Sequence, residues 1–555
     1  AALLVNPSPP GNLLQLIKRF GTLVAHPFLL AAVSVLSARV QVKLEVLPEE
    51  VLAPLLLMEG WALVTFLLFW LFLKNPQKAG IASSFVVGVS LCFDQFRLYV
   101  NLGAQIIFHQ PVEDIVTFFL FWLILFVLLF ALLRTPKPVE GAKPVDFGRM
   151  TVAFNIMCTI LLLLNLVPLA VSDYQSKQIQ DHFIQMFKAP FHGVKLNAKD
   201  GVKPDVYYII LDAYASPETL KNQGKFDDKE FLDFLKWRGF YVVPKAASNY
   251  DRTPFSISSS LNMDYISAIP KEMGDNYMAD NIYYRLMQYG AVAGLFKKLG
   301  YKFVNVSSGA FATDYIWGAD ANIKAEFGSH FTTAMMMLTP LAGLEKYLHI
   351  MRDGYCDCRV APGKCLDQVL AIKGPKFVLI HTDLSHPPAL FNQDGKRKDL
   401  PRELLNDHGT DFNAYVEQIK YCNKEVQKWI DKIDSGYGLQ SSESLKSLKS
   451  LRPIVIIQAD HGPYYPMKSD DAYYNEVMRI LNAYRFPGDN KSTLYPTITP
   501  VNSFRVLFND YFGAGLPLLK DQSWCSPVRV RPYSWSDVTP KLVFPNDASP
   551  SVDKR

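Results

Sequence analysis

Long uninterrupted apolar stretches fill the first 172 positions, at roughly 20–38, 51–73, 79–100, 114–133 and 150–171. Each is about as long as a helix must be to cross the hydrocarbon of a bilayer, about 20 residues. The pattern predicts five spanning helices. From Lys203 onward the pattern changes to short apolar runs alternating with amphipathic segments. Val206–Leu211, Lys376–Ile380 and Ile454–Ile457 read as buried strands, and 228–238, 284–299 and 413–433 as helices. Strands of this kind separated by helices predict an α/β domain, a mostly parallel sheet with helices on both faces. The expected division is a transmembrane part over 1–172, a linker helix over 173–202, a catalytic domain over 203–545 and a disordered tail over 546–555. Within the linker, Ile179, Phe183, Ile184 and Phe187 recur at helical spacing and predict a helix lying on the membrane surface. The Ser-Leu-Lys repeat at 445–452 reads as an exposed loop.

Charge gives the orientation. Lys18 and Arg19, Lys74 and Lys78, and Arg134, Lys137, Lys143 and Arg149 flank alternate sides of the runs, so those segments are expected in the cytoplasm and the chain after Ser172 outside. The first run is followed by charged residues rather than a cleavage site, so it reads as an anchor. The net charge of +5 calls for no nucleic acid, because basic loops beside anionic headgroups account for it. Glu59 stands about eight residues into the second run, on the order of 12 Å deep, and is either functional or paired with Arg39 or Arg97. Asp94 and Arg97 are spaced to pair on one helix.

Chemistry enters where strands end. In open parallel sheets ligands bind beyond the carboxyl ends of the strands, and here those ends carry Asp212, His381 and the pair Asp460-His461. Thr253 precedes Pro254 and a run of small residues, which reads as a capping Thr with Pro at the first helical position. Such a helix start aims a hydroxyl and free N–H groups at one spot that favours an anion. Two carboxylates, an imidazole and a hydroxyl form a mixed oxygen and nitrogen donor set suited to one divalent metal ion, Zn²⁺ or Mn²⁺. An ion there would lower the Thr253 pKa and supply a nucleophile. His386 lies one loop beyond its strand, placed to bind a phosphate oxygen or protonate a leaving group.

The segments Lys203-Pro-Asp-Val-Tyr-Tyr-Ile-Ile-Leu-Asp212, Ser248-Asn-Tyr-Asp-Arg-Thr253, Ser385-His386-Pro-Pro and Gln458-Ala-Asp460-His461-Gly resemble the sulfatase-like branch of the alkaline phosphatase superfamily. With five apolar runs ahead of the domain, the chain resembles the membrane-anchored lipoteichoic acid synthases and phosphoethanolamine transferases. The resemblance implies Asp212, Thr253, Asp460 and His461 as metal ligands, Thr253 as nucleophile, and His386 as a substrate-binding residue. Apart from the resemblance, His381 at its strand end and Trp317 in Tyr-Ile-Trp-Gly are further candidates for the substrate pocket. It implies a bacterial inner-membrane enzyme with its catalytic domain outside, moving a headgroup from a membrane phospholipid donor to an envelope glycan or lipid acceptor. Sulfatases need Cys or Ser at the nucleophile, so Thr253 disfavours sulfate ester hydrolysis. A phosphodiesterase or phosphatase with water as acceptor, and a non-catalytic lipid-sensing protein, are the rival readings.

Cys92 and Cys158 fall in apolar runs, whereas Cys356, Cys358, Cys365, Cys422 and Cys525 fall outside them, in an oxidising compartment. The Cys356-Asp-Cys358 pair followed by Cys365 is expected to form a disulfide-stapled loop. The orientation is open to test with activity reporters. One fused after Ser172 should be active outside and one fused near Lys143 inside; the reverse pattern overturns the placement.

Overall fold

The computed structural model describes residues 23–41, 48–108, 110, 112–133, 145–274, 281–307, 313–323, 330–340, 342, 352–398, 411–439, 452–464, 469–487, 493–526 and 534–544. The tail over 546–555 and nearly all of the 445–452 repeat lie outside them. The chain forms two compact units. One comprises 1–177 with 328–352, and the other 178–327 with 353–555.

The first unit is helical: α1 (His26–Gln41), α2 (Leu52–Leu73), α3 (Pro76–Ser90), α4 (Phe93–Phe108), α5 (Asp114–Leu133) and α6 (Phe147–Lys188). Each apolar run is therefore helical over most of its described residues, with a break that divides the third into two helices. Among the described residues, two helices, α2 and α6, are long and apolar enough to cross a membrane, and α3 with α4 adds a third if the bent pair counts as one span. α1 and α5 contribute shorter apolar stretches. The third run was expected to be one straight span, but its two helices are bent by 54°. The cause is legible beyond the break, where Asp94, Arg97, Asn101 and Gln105 recur at helical spacing and give α4 a polar stripe. Asp94 and Arg97 pair there at 2.9 Å. α3 starts as its sequence dictates, with Asn75 accepting from the Lys78 N–H at 3.0 Å and Pro76 at the first helical position. Arg39 is buried and held by Asp173 through two hydrogen bonds of 2.6 and 2.8 Å, while Glu59 forms no ion pair among the described residues. The helix His330–Met337 also belongs to this unit, although its sequence neighbours lie in the other.

The second unit is built on a seven-stranded sheet. Its strands are β1 (Val206–Leu211), β2 (Tyr241–Val242), β3 (Lys302–Val306), β4 (Ala321–Ile323), β5 (Lys376–Thr382), β6 (Ile454–Gln458) and β7 (Asn482–Arg485). The order is β2-β7-β6-β1-β5-β3-β4. β6, β1, β5, β3 and β4 run parallel, and β7 is antiparallel to both neighbours. Ile209 stands opposite Ile380 on one side and Ile457 on the other. β1, β5 and β6 are buried along their whole length, as strands covered on both faces must be. Phe296, Phe377, Phe504 and Phe508 pack on one another in the core.

Two expectations need correction. Ile179, Phe183, Ile184 and Phe187 do share a helix, the continuation of α6. Phe183, Ile184 and Phe187 are buried with Tyr250, Phe255 and Tyr283, so this face closes a protein core rather than lying on lipid. The stretch from Cys356 to Cys365 is not a stapled loop but part of the helix Arg352–Ala371. Seven or nine residues along a helix separate Cα atoms by on the order of 10 Å or more, beyond disulfide reach. Cys365, Cys422 and Cys525 are buried free thiols, and the side chains of Cys356 and Cys358 lie outside the described ones.

The burial of α6 makes a direct prediction. Phe187→Ala should destabilise the second unit by about 3–5 kcal/mol, the usual range for emptying a buried aromatic position. Calorimetry of the full chain would show a lowered unfolding transition; an unchanged one would return this face to the lipid surface.

Candidate metal and nucleophile site

Three adjacent central strands deliver the site. The turn after β1 presents Asp212, β5 presents His381, and the turn after β6 presents Asp460 and His461. Chain direction reverses sharply after β1 because Ala213 adopts a left-handed conformation, φ 55°. Gly462 is needed after His461, since a Cβ there would lie 2.1 Å from the Glu476 carbonyl oxygen.

The helix Thr253–Asn262 brings the hydroxyl. Thr253 is its first helical residue and Arg252 its cap, one position earlier than the sequence suggested. The Thr253 side chain therefore does not cap its own helix. Its Oγ1 lies 3.4 Å from Asp212 Oδ2 and 3.1 Å from His461 Nε2. The run of serines behind it lets the helix pack closely, and Ser256 donates to the Asp460 carbonyl at 2.7 Å.

Each carboxylate has one oxygen engaged and one bare. Asp460 Oδ1 accepts from the N–H groups of Ala213 and His461, at 3.1 and 2.9 Å. Asp212 Oδ2 faces His381 Nε2 at 3.1 Å. Asp212 Oδ1 and Asp460 Oδ2 are buried and have no hydrogen-bond partner among the described residues. His461 Nε2 lies 3.8 Å from the first and 3.5 Å from the second. Its ring is oriented by Nδ1–H donating to the Gly462 carbonyl at 2.7 Å, which leaves the Nε2 lone pair facing both oxygens. Ligand atoms of Asp212, Asp460 and His461 all lie within 4.8 Å of one another. Bare buried oxygens side by side are costly unless positive charge sits between them. This donor set fits one divalent cation, and Thr253 Oγ1 stands beside it.

Electrostatics agree. Burial alone would raise Asp212, but His386, His381 and His461 outweigh it and hold its carboxyl below the usual range. Asp460 moves up, from burial and then from the neighbouring Asp212 charge. His381 and His461 are both raised: burial opposes their charge, and the surrounding carboxylates overcome it.

The remaining candidates separate. His386 is partly exposed, with Nδ1 turned to the Pro387 carbonyl and Nε2 at 3.9 Å from Asp212 Oδ1, so it borders the site. His381 is as buried as His461 and faces Asp212, and its ligand atom with those of Asp212 and Asp383 forms a second group within 4.8 Å. Trp317 is 40% exposed, packs on Tyr315 and donates its backbone N–H to Gln288 Oε1, with no hydrogen bond to the cluster among the described residues. Sequence reasoning missed the supports. Thr313 holds His381 Nδ1 at 2.7 Å, Ser385 donates to the Asp212 carbonyl at 2.7 Å, and buried Arg359 and Gln418 hold the His386 carbonyl at 2.7 and 3.0 Å. These are common residue types in loops and helices with no fixed spacing to the residues they support. Asp251 was also missed. It is wholly buried, and burial first of all raises its pKa.

Removing a ligand should empty the site. Asp460→Ala and His461→Ala should each copurify with far less transition metal than the parent, because the remaining ligands cannot hold the ion against water. Occupancy should also fall as pH drops through the raised His461 range, since the protonated ring has no lone pair to offer. Elemental analysis showing full occupancy in both variants would refute the assignment.

No protein-family model matches this chain, and no curated protein does. Solved structures do. The chain is similar to the C-terminal periplasmic domain of EptC from Escherichia coli in complex with Zn, at 12% identity and a TM-score of 0.40, over 62% of this chain and 95% of that one. It is similar to the integral membrane lipooligosaccharide phosphoethanolamine transferase A from Neisseria meningitidis, at 12% identity and 0.35, over 80% and 89%. It is also similar to the lipoteichoic acid synthase LtaP from Listeria monocytogenes, at 13% identity and 0.34, over 62% and 82%.

Proposed function

We propose that the chain is a metal-dependent phosphotransferase of the bacterial cytoplasmic membrane, taking a phosphorus-containing headgroup from a membrane phospholipid to an acceptor outside. The observation that carries the reading is the Thr253 hydroxyl, 3.1 Å from His461 Nε2 and beside two bare buried carboxylate oxygens. Asp212, Asp460, His461 and Thr253 would hold the ion. A divalent cation held there would supply Lewis acidity, lowering the pKa of the Thr253 hydroxyl and polarising a phosphoryl oxygen.

The chain's own residues do the rest. Thr253 Oγ1 gives its proton to solvent water and attacks phosphorus, and the bond to the diacylglycerol oxygen breaks. His386, bordering the site with Nε2 turned inward, donates a proton to that leaving oxygen. The headgroup phosphate is then esterified to Thr253. An acceptor hydroxyl gives its proton back to His386 and attacks the same phosphorus, and Thr253 Oγ1 leaves and recovers its proton from solvent water. His381 fixes Asp212 throughout. The apolar helices of the first unit support the lipid donor, because a phospholipid reaches such a chain by lateral diffusion. With water in place of the acceptor, the same residues would give a hydrolase.

Thr253 is the deciding residue. Thr253→Ala should lower turnover by several orders of magnitude, the loss typical of a missing nucleophile. Its fold should persist, since the side chain makes no cap bond. Thr253→Ser should keep part of the activity, having lost only the methyl that restricts the rotamer. Intact-mass measurement of the wild type supplied with phospholipid should show an adduct on Thr253 whose mass names the headgroup. Wild-type transfer by the Ala variant would end the hypothesis.

A further inference from the structure

The turn that carries Asp212 is gripped from behind by the helix Phe412–Gly436. Tyr415 donates from its hydroxyl to the Ala213 carbonyl at 2.7 Å and accepts from the Ala215 N–H at 2.9 Å. About two turns further along the same helix, Asn423 meets the side chain of Tyr214, the residue between those two. The third member of the contact is Asp228, which stands just before the helix Lys229–Trp237. Asp is a favoured cap at such a start, yet this side chain makes no cap bond and is turned inward. Tyr214 Oη lies 2.9 Å from Asp228 Oδ2 and 2.7 Å from Asn423 Oδ1, and Asn423 Nδ2 lies 2.7 Å from Asp228 Oδ1. All three residues are buried, and their side chains close a ring.

A ring of three contacts needs a hydrogen on each. The phenol supplies one, and the amide supplies one whichever way it is turned, because its nitrogen faces only one of its two neighbours. With Nδ2 toward Asp228, the phenol must serve Asn423 and the contact between Tyr214 and Asp228 lacks a hydrogen. With the amide reversed, the contact between Asn423 and Asp228 lacks it. The missing hydrogen falls on Asp228 in both cases, so its carboxyl must carry the proton. Burial first, then the Asp227 charge, push that carboxyl up to about 7, against the pull of Tyr214 and Asn423. The other titratable groups here add no positive charge: burial and the Asp228 charge push both Tyr214 and Cys422 up, and Glu425 acts on Cys422 in the same sense. We infer that Asp228 is a positioning residue for Asp212: as the neutral acid it closes the ring that holds the turn, and its ionisation as pH rises past neutral opens the ring and loosens the turn. The inference rests on the proposed function only in treating Asp212 as a metal ligand. Folded Asp228 keeps its proton more tightly than the unfolded chain does, so the stabilisation by the ring is complete below the ordinary carboxylate range and is lost as pH rises through about 7.

Asp228→Asn provides the test, because its amide N–H supplies the third hydrogen at every pH. Wild type and variant are compared as full chains in mild detergent without metal, by unfolding midpoint and by hydrogen exchange of the amides over 211–215. From mildly acidic to mildly alkaline pH, the wild-type midpoint should fall by several degrees relative to the variant. Protection of those amides, corrected for base catalysis, should drop over the same range in the wild type alone. A variant less stable than the wild type on the alkaline side, or the same pH slope in both, would overturn the inference. If Asp228→Asn fails to fold, exchange in the wild type decides alone, and protection that does not change with pH overturns it. Zn²⁺ alone is then titrated into both. The two should bind it equally on the acidic side, and the variant about tenfold more tightly on the alkaline side, the size of effect usual for a residue that orients a ligand. Zn²⁺ binding with one and the same pH profile in both would overturn the link to Asp212. No Zn²⁺ binding by either, with the differences in stability and exchange in place, would sink the proposed metal site and leave the ring standing.

Discussion

Two carboxylates buried side by side, each with a bare oxygen, are the constraint on which the second unit depends. Asp212 and Asp460 cannot both keep their charge in that place without compensation. The surrounding structure is arranged to supply it. Backbone N–H groups take one oxygen of Asp460, His381 takes one oxygen of Asp212, and the two remaining oxygens and the Thr253 hydroxyl lie around His461 Nε2. Parallel strands make this possible, because β6, β1 and β5 end on the same edge of the sheet.

Precision comes from residues with no chemistry of their own. Ser256 and Ser385 pin the backbone at Asp460 and Asp212, and Thr313 sets the His381 ring. Gly462 allows the Asp460 turn to lie against the backbone of Glu476. Each support reaches the site from a different segment. A change in one would shift a ligand without removing it, and metal sites are sensitive to such shifts.

Much of this was legible before any coordinates. β1, β5 and β6 announced themselves as continuous apolar runs, and an Asp or His at the end of each gave the site, because burial on both faces forces that composition. What escaped were features set by tertiary contact. The Thr253 helix starts one position away from its expected start because the hydroxyl has better partners in Asp212 and His461 than in its own backbone. The bend between α3 and α4 was hidden by an average hydropathy that ignored which face carried Asp94 and Arg97. The helix His330–Met337 is too short for periodicity to show that it belongs with the apolar helices. Cysteine spacing suggested a loop where neighbouring residues favoured a helix, Arg352–Ala371.

The strand order carries a consequence for how the protein comes into being. β1 is the first strand of the sheet to be synthesised, yet it lies at its centre, and its two neighbours, β5 and β6, come much later in the chain. Until they arrive, a wholly apolar strand has both edges unpaired, the condition under which chains aggregate. Asp212 and Thr253 are made early and Asp460 and His461 well after them, so the four come together only once β6 has joined the sheet. A divalent ion at the proposed site would therefore be taken up late in maturation. A nascent chain stalled before β6 would be sticky and lack the full donor set, a natural client for chaperones and proteases wherever the domain folds.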